Sequence, residues 1–186
     1  FAHRLHQEDF CQALGFASAL KYQLGDYRYF HRAVDLIRRA SAQPAKDLVS
    51  FIDNLLLDYM LGNCDNHLKN YSFLYSSDWR ACKLAPVYDK ICTMRYRQYR
   101  EAMGMPLTRD AAYASLRQET LQECLDEAGV SCKLVKDRFA WLSGSFDTAF
   151  DEAKEDLLAN EVAIPRPVED SIRRCADTIR NSLARQ

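Results

Sequence analysis

Gly62-Asn63-Cys64-Asp65-Asn66-His67-Leu68-Lys69-Asn70, with Leu84-Ala85-Pro86-Val87-Tyr88-Asp89 a short way beyond it, is the stretch on which the reading of this chain turns. Within nine residues, 62–70, it gathers a carboxylate, an imidazole, an ammonium and three side-chain amides. The stretch before it is strongly apolar: Leu48, Phe51, Ile52, Leu55, Leu56, Tyr59 and Met60 cover more than one helical stripe, which predicts a helix over 45–61 buried on much of its circumference. Gly62 is the natural stop for that helix. On the far side of the loop, 71–75 and 82–84 around Ser76-Ser77-Asp78 have the pattern of two short strands and a polar turn. A buried helix therefore delivers a polar loop, a hairpin leaves it, and the polar groups are rigidly mounted.

Working outward, Phe10, Cys11, Leu14 and Ala17 recur at helical spacing and predict a helix over 7–20 that starts beside Glu8 and Asp9. A second helix is expected over 29–42, with Phe30, Ala33, Val34 and Ile37 on one side and Arg32, Arg38 and Arg39 on the other; Pro44 ends it or starts the next. The segment 90–106 reads as irregular. Three further helices are expected over 114–128, over 133–160 with a break near Gly144, and over 168–184 after Pro165 and Pro167. The fold class is mainly α, a helical bundle with one small sheet insertion, and the length suits a single domain over 1–186.

Composition limits the function. The formal charge is -1, so no whole-chain field draws the protein to nucleic acid or to an anionic membrane. Seven cysteines form no C-x-x-C pair, which fits neither a disulfide framework nor a zinc ribbon and suggests reduced thiols in the cytoplasm. Apolar runs such as Leu55 to Leu57 fall far short of the roughly 20 residues that span a bilayer. A soluble protein is expected. The chain opens Phe1-Ala2-His3, which suggests a piece of something longer.

The loop has the chemistry of phosphoryl transfer, which needs a carboxylate to orient or deprotonate the attacking hydroxyl and a second group nearby to hold magnesium. Asp65 and Asn70 stand five residues apart, the offset between catalytic Asp and metal-binding Asn in protein-kinase loops. Asp89 closes the strand-like 84–89 segment, where kinases place the acid that joins magnesium to the phosphates. One Asp and one Asn carbonyl with phosphate oxygens and waters suit that ion. A D-x-x-x-x-N alone would mean little, since Asp, Asn and Gly fill any turn; the hairpin and the Pro86-Val87-Tyr88-Asp89 run supply the context that gives it weight.

G-N-C-D-N-H-L-K-N-Y-S at 62–72 followed by L-A-P-V-Y-D at 84–89 resembles the catalytic and metal-binding motifs of the HipA-like toxin serine/threonine kinases. The segment Arg4-Leu5-His6-Gln7-Glu8-Asp9-Phe10-Cys11-Gln12 is similar to that family's R-L-x-Q-E-D-x-C-Q, and Ala102-Met103-Gly104-Met105 to a piece after its metal-binding Asp. The resemblance covers about the first 105 residues. It implies a protein-kinase-like C-terminal lobe with a catalytic loop at 62–70, a metal-binding segment at 84–89 and a helical remainder at 107–186. It implies ATP and Mg2+ as cofactors, Asp65 as catalytic base, Asn70 and Asp89 as metal ligands, and His67 and Lys69 near the phosphates or the acceptor hydroxyl. It also implies a cytoplasmic protein substrate, in known cases an aminoacyl-tRNA synthetase, and a HipB-like DNA-binding antitoxin as partner. The ATP-clamping N-terminal lobe lies upstream of these motifs in the family, so the chain alone is expected to be incomplete for catalysis.

Two rival readings stand beside this one: a kinase-like interaction module that binds an antitoxin or a partner lobe without catalysis, and a phosphotransferase acting on a small molecule. Gln7-Glu8-Asp9 could be a second acidic site but reads better as helix capping. Arg95-Tyr96-Arg97-Gln98-Tyr99-Arg100 could touch a protein substrate or nucleic acid and reads better as a solvated loop. Cys64 reads as filler, and Trp141 as core.

Overall fold

The computed structural model describes residues 4–22, 28–96 and 101–184. The regular elements among these residues are, in chain order, β1 (Gln7–Asp9), α1 (Phe10–Ala13), α2 (Arg28–Ala40), α3 (Pro44–Leu61), β2 (Ser72–Tyr75), β3 (Cys82–Leu84), α4 (Gln118–Glu127), α5 (Cys132–Ala159) and α6 (Arg166–Ala184). The fold is mainly helical, as its sequence pattern predicts, with one small antiparallel sheet in the order β1-β2-β3.

Helix α3 is the central pillar. Phe51, Ile52, Leu55, Leu56, Tyr59 and Met60 are all buried, and α2, α5 and α6 pack around it. Pro44 occupies its first turn, where a missing N–H costs nothing. Its end is a Schellman motif: Gly62 lies at φ 72°, its N–H donates to Tyr59 O at 3.2 Å, and Asn63 N–H donates to Asp58 O at 2.8 Å. Two buried carboxylates ride on this apolar helix. Asp47 accepts hydrogen bonds from Ser41 Oγ at 2.6 Å, Gln43 Nε2 at 2.8 Å and Leu84 N at 2.7 Å, which fixes the hairpin to the start of α3. Asp58, one turn before the C-terminus, serves the polar loop.

The structure corrects several expectations. The helix expected over 7–20 is instead a strand, a short helix and a 3-10 turn, Ser18–Leu20. Gln7 pairs with Leu74 and Asp9 with Ser72, so the stretch adds a third strand to the hairpin. A periodicity window cannot see that partner, which lies more than sixty residues away. Asp9 itself is a cap, accepting from Gln12 N at 2.9 Å while Gln12 Oε1 accepts from Asp9 N at 3.0 Å. The helix expected from 114 starts only at Gln118, after a 3-10 turn at Tyr113–Ser115. Gly144 does not break α5, which runs unbroken for 28 residues. A lone glycine costs a helix about 1 kcal/mol, which the packing of Phe139, Leu142 and Phe146 on either side of Gly144 offsets. Trp141, read as core, is exposed, with the Arg138 guanidinium 4.4 Å from its ring centroid.

The main core joins α1, α2, α3, the hairpin and α4, and a smaller cluster of Met60, Cys92, Phe146, Ile172 and Ala176 lies beneath the segment after Asp89. All seven cysteines are free. No helix among the described residues is long and apolar enough to cross a membrane.

Candidate active site

The loop leaves α3 without regular structure over 63–67 before a 3-10 turn at Leu68–Asn70, and side chains and neighbouring segments tie down much of that path. Cys64 N–H donates to Thr93 Oγ1 at 2.8 Å, and that hydroxyl donates to Gly62 O at 3.1 Å. Cys64 O accepts from Gly104 N at 2.9 Å. The Asn66 side chain pairs with the Met105 backbone in both directions, at 3.1 and 3.3 Å. Gly104 is needed for this close approach, because a Cβ there would stand 3.2 Å from the Asn66 carbonyl carbon and the His67 nitrogen. Cys64 is buried, and burial pushes its thiol up to about 11, so it is an inert packing residue.

Beneath the loop lies a buried polar hub. Asp58 is fully buried and accepts from Asn63 Nδ2 at 2.8 Å, Tyr71 Oη at 2.8 Å and Lys90 Nζ at 2.7 Å. Burial pushes this carboxyl up; the Lys90 ammonium and the two neutral donors oppose that push. Asn63 then reaches two ways. Its Nδ2 lies 3.3 Å from Asp89 O, and its Oδ1 accepts from Asp65 N at 3.2 Å. One buried amide thus holds the backbones of both candidate carboxylates.

Asp65 and Asn70 meet directly: Asn70 Nδ2 donates to Asp65 O at 2.8 Å. That bond uses the nitrogen of the amide and leaves its carbonyl oxygen as the end able to ligate a cation. The Asp65 side chain is 35% exposed, so its carboxylate can meet an incoming hydroxyl. Its Oδ1 accepts a hydrogen bond from Tyr22 Oη and lies 4.0 Å from His67 Nε2. Asp89 is exposed, at φ 58°, a left-handed conformation uncommon outside glycine. Asn63 at the Asp89 carbonyl and the Lys90 bond to Asp58 hold the chain as it leaves this residue.

His67 is buried, and burial together with the Lys21 ammonium pulls its imidazole below the ordinary histidine range, with Asp65 opposing. The ring is neutral at pH 7 and accepts from Lys21 Nζ at 3.0 Å through Nε2, which puts its hydrogen on Nδ1, where no acceptor among the described residues meets it. Lys69 lies half-buried at the loop's last turn, its Nζ 3.2 Å from Ser18 Oγ and its carbonyl accepting from Tyr88 Oη at 2.7 Å. Of the Arg and Tyr run at 95–100, Arg95 and Tyr96 are exposed and 97–100 lie outside the described residues.

No trio of His, Cys, Asp or Glu able to hold a metal occurs among the described residues. The Asn70 carbonyl and the Asp89 carboxylate are hard oxygen donors of the kind magnesium takes, an ion that completes its shell with waters and phosphate oxygens. Sequence reasoning missed Asp58, Lys90, Thr93, Tyr88, Lys21 and Tyr22. The signal for Asp58 was present: an acid set between Leu55-Leu56-Leu57 and Tyr59-Met60-Leu61, at the end of a helix buried on much of its circumference, must have a buried partner.

Residues 2–182 match the HipA-like C-terminal domain family. Two proteins of Sinorhizobium fredii, Y4mE and Y4dM, whose names class them provisionally as kinases, are 37% and 32% identical to the chain over 154 and 160 residues, 83% and 86% of its length. The chain spans little more than a third of these relatives, 36% and 38% respectively. Among solved structures, HipA of Shewanella oneidensis, in complex with HipB and operator DNA, superposes with a TM-score of 0.77 at 21% identity over 95% of this chain and 42% of its own. The Helicobacter pylori proinflammatory kinase CtkA superposes with a TM-score of 0.52 at 13% identity over 98% of this chain and 70% of its own. The fold is that of the kinase-like HipA C-terminal region, and the chain belongs to the HipA-like C-terminal domain family.

Proposed function

We propose that this chain is the catalytic C-terminal lobe of a HipA-like serine/threonine protein kinase, transferring the γ-phosphate of ATP to a hydroxyl of a cytoplasmic protein. The observation that carries this reading is the junction of Asp65, Asn70 and Asp89 through Asn63 and the Asn70-to-Asp65 bond at 2.8 Å. A pure binding module has no need of an exposed carboxylate backed by a buried polar hub.

In this reading Asp65 accepts the hydrogen bond of the acceptor hydroxyl and takes its proton as the oxygen attacks phosphorus. The Asn70 carbonyl and the Asp89 carboxylate hold Mg2+, which when bound neutralises charge on the ATP phosphates. Lys69 on the loop and Lys21, which reaches His67 from the turn after Ser18–Leu20, set two ammonium groups against the same loop, where they attract phosphate oxygens. The neutral His67 ring packs the loop rather than carrying a charge of its own. The rest of the nucleotide clamp belongs to the part of the longer protein beyond this lobe, and a HipB-like DNA-binding antitoxin is the partner that restrains the kinase. The acceptor is a protein such as an aminoacyl-tRNA synthetase.

The test is transfer from γ-labelled ATP with and without magnesium, comparing the chain alone, the full-length gene product, and that product carrying Asp65→Asn. Transfer by the full-length wild type alone, abolished by Asp65→Asn and by chelation of magnesium, is the expected result. A full-length protein that neither binds MgATP nor labels any cytoplasmic protein overturns the kinase reading and leaves the interaction module in its place.

A further inference from the structure

The backbone of Asp65 is well fixed, by Asn63 Oδ1 at its nitrogen and by Asn70 Nδ2 at its carbonyl. Neither bond touches the carboxylate. A carboxylate that is one-third exposed turns freely about its own side-chain bonds unless something holds it, and misplacing a catalytic group by about 1 Å can cost on the order of 100-fold in rate. Among the described residues the one group that hydrogen-bonds this carboxylate is the phenol of Tyr22, on Oδ1.

Tyr22 is itself braced. The 3-10 turn before it, Ser18–Leu20, is held by Tyr29, a buried residue of α2 whose hydroxyl donates to Leu20 O at 2.5 Å, and by Lys69, whose ammonium lies 3.2 Å from Ser18 Oγ. The Tyr22 ring meets the edge of His67 with centroids 5.0 Å apart, and the Lys21 ammonium lies 4.6 Å from its centroid while reaching His67 Nε2 at 3.0 Å. His67 is buried in the loop, so the phenol is anchored to the same rigid body as the carboxylate it holds.

We propose that Tyr22 is a positioning residue of the transfer site: its hydroxyl pins Oδ1 of Asp65 and thereby presents Oδ2 to the acceptor hydroxyl, with Lys21 and His67 bracing the ring. The proposal rests on Asp65 acting as the base. A phenol is suited to this duty because it is neutral at physiological pH and donates a single, charge-assisted hydrogen bond to a carboxylate. The carboxylate has two oxygens and Tyr22 occupies one; none of the described residues donates to the other.

The opposite role is a plug, in which the phenol stands where the acceptor hydroxyl belongs and must leave before transfer. The two roles predict opposite signs. Tyr22→Phe keeps the ring, its contact with His67 and its place under Lys21, and removes only the hydroxyl. In the full-length protein, assayed with MgATP and dephosphorylated casein as a generic acceptor, we expect kcat to fall about 10-fold or more, with the KM for MgATP and the melting temperature unchanged. Lys21→Gln, which loosens the brace without removing the phenol, gives a smaller fall in kcat.

Asp65→Asn is assayed alongside. If Asp65→Asn abolishes transfer while Tyr22→Phe matches the wild type, the positioning role is overturned and the base assignment survives. If Tyr22→Phe raises kcat/KM for the acceptor, Tyr22 is a plug and the proposal is overturned. If Asp65→Asn transfers phosphate normally, or the wild type transfers none, the reading of Asp65 falls and Tyr22 loses its role with it.

Discussion

The polar bed under the 62–70 loop and the charged seam between α5 and α6 use the same kinds of side chain to opposite effect. In the seam, Lys154 meets Glu169 at 2.6 Å, Arg173 meets Asp151 at 2.5 Å and Glu169 at 3.1 Å, and Arg180 meets Asp147 at 2.9 Å and Asp177 at 3.1 Å. These pairs are abundant and partly wet: the Asp147 side chain is 52% exposed. In the bed a single carboxylate, Asp58, is wholly buried, with Lys90, Tyr71 and Asn63 around it. Exposed pairs are screened and pay side-chain entropy, so many together contribute little. A buried charge that loses its partners has no water to fall back on. The seam links α5 to α6 along a partly exposed edge, whereas the bed ties the loop to the interior through three hydrogen bonds of 2.7–2.8 Å on one buried carboxylate.

Breaking the bed should have the largest effect. Asp58→Ala strands the Lys90 ammonium and removes the acceptor of Asn63 and Tyr71, and should cost about 3–5 kcal/mol in urea unfolding; a loss under about 1 kcal/mol would show that the bed is no different from the seam. Gly62→Ala comes next. Its backbone is left-handed at φ 72°, and a Cβ would stand 2.5 Å from Cys175 Sγ and 3.1 Å from Met94 Cβ, so about 2–3 kcal/mol should be lost, from backbone strain and overpacking together.

His67 gives a pH test of the same contrast. Its folded pKa is depressed, so below the ordinary histidine value of about 6.5 the unfolded chain binds a proton that the folded chain resists. Stability should therefore fall as pH drops from 7.5 to 5.5, and His67→Gln should flatten that slope in denaturant midpoints taken at both pH values. An unchanged slope would mean that the loop opens to let the ring charge. The smallest effect belongs to the seam: Asp147→Ala removes contacts to Arg173 and Arg180 yet should shift stability by about 0.5 kcal/mol or less, and the shift should shrink in high salt. A large, salt-insensitive loss would put the seam in the same class as the bed.

Much of the fold and the site is legible in local pattern. The apolar positions of α3, the Gly62 stop, the hairpin at β2 and β3 and the polar make-up of the loop are all visible there, and the family match agrees with the resemblance of the 62–72 and 84–89 motifs. Asn70 meets the backbone of Asp65, and Asn63 ties that backbone to the carbonyl of Asp89, links that follow from the helix end and the hairpin on either side of the loop. The supporting residues are harder to find. Lys90 comes directly after Asp89 and reads as an ordinary surface lysine, and Lys21-Tyr22 sits in a stretch with no motif.

Local periodicity and turn chemistry depend on neighbours along the chain, which is why the sequence by itself determined the principal helices, the stop at Gly62 and the chemical inventory of the loop. Tertiary structure decided that Gln7–Asp9 is a strand, because its pairing with β2 outweighs the helical spacing of a few apolar residues. It also decided which polar groups meet: Lys90 reaches Asp58 across 32 residues and Tyr22 reaches Asp65 across 43. Such pairs leave no periodic trace, because a contact between distant segments depends on how whole elements pack, and only the folded chain brings them within a hydrogen bond of each other.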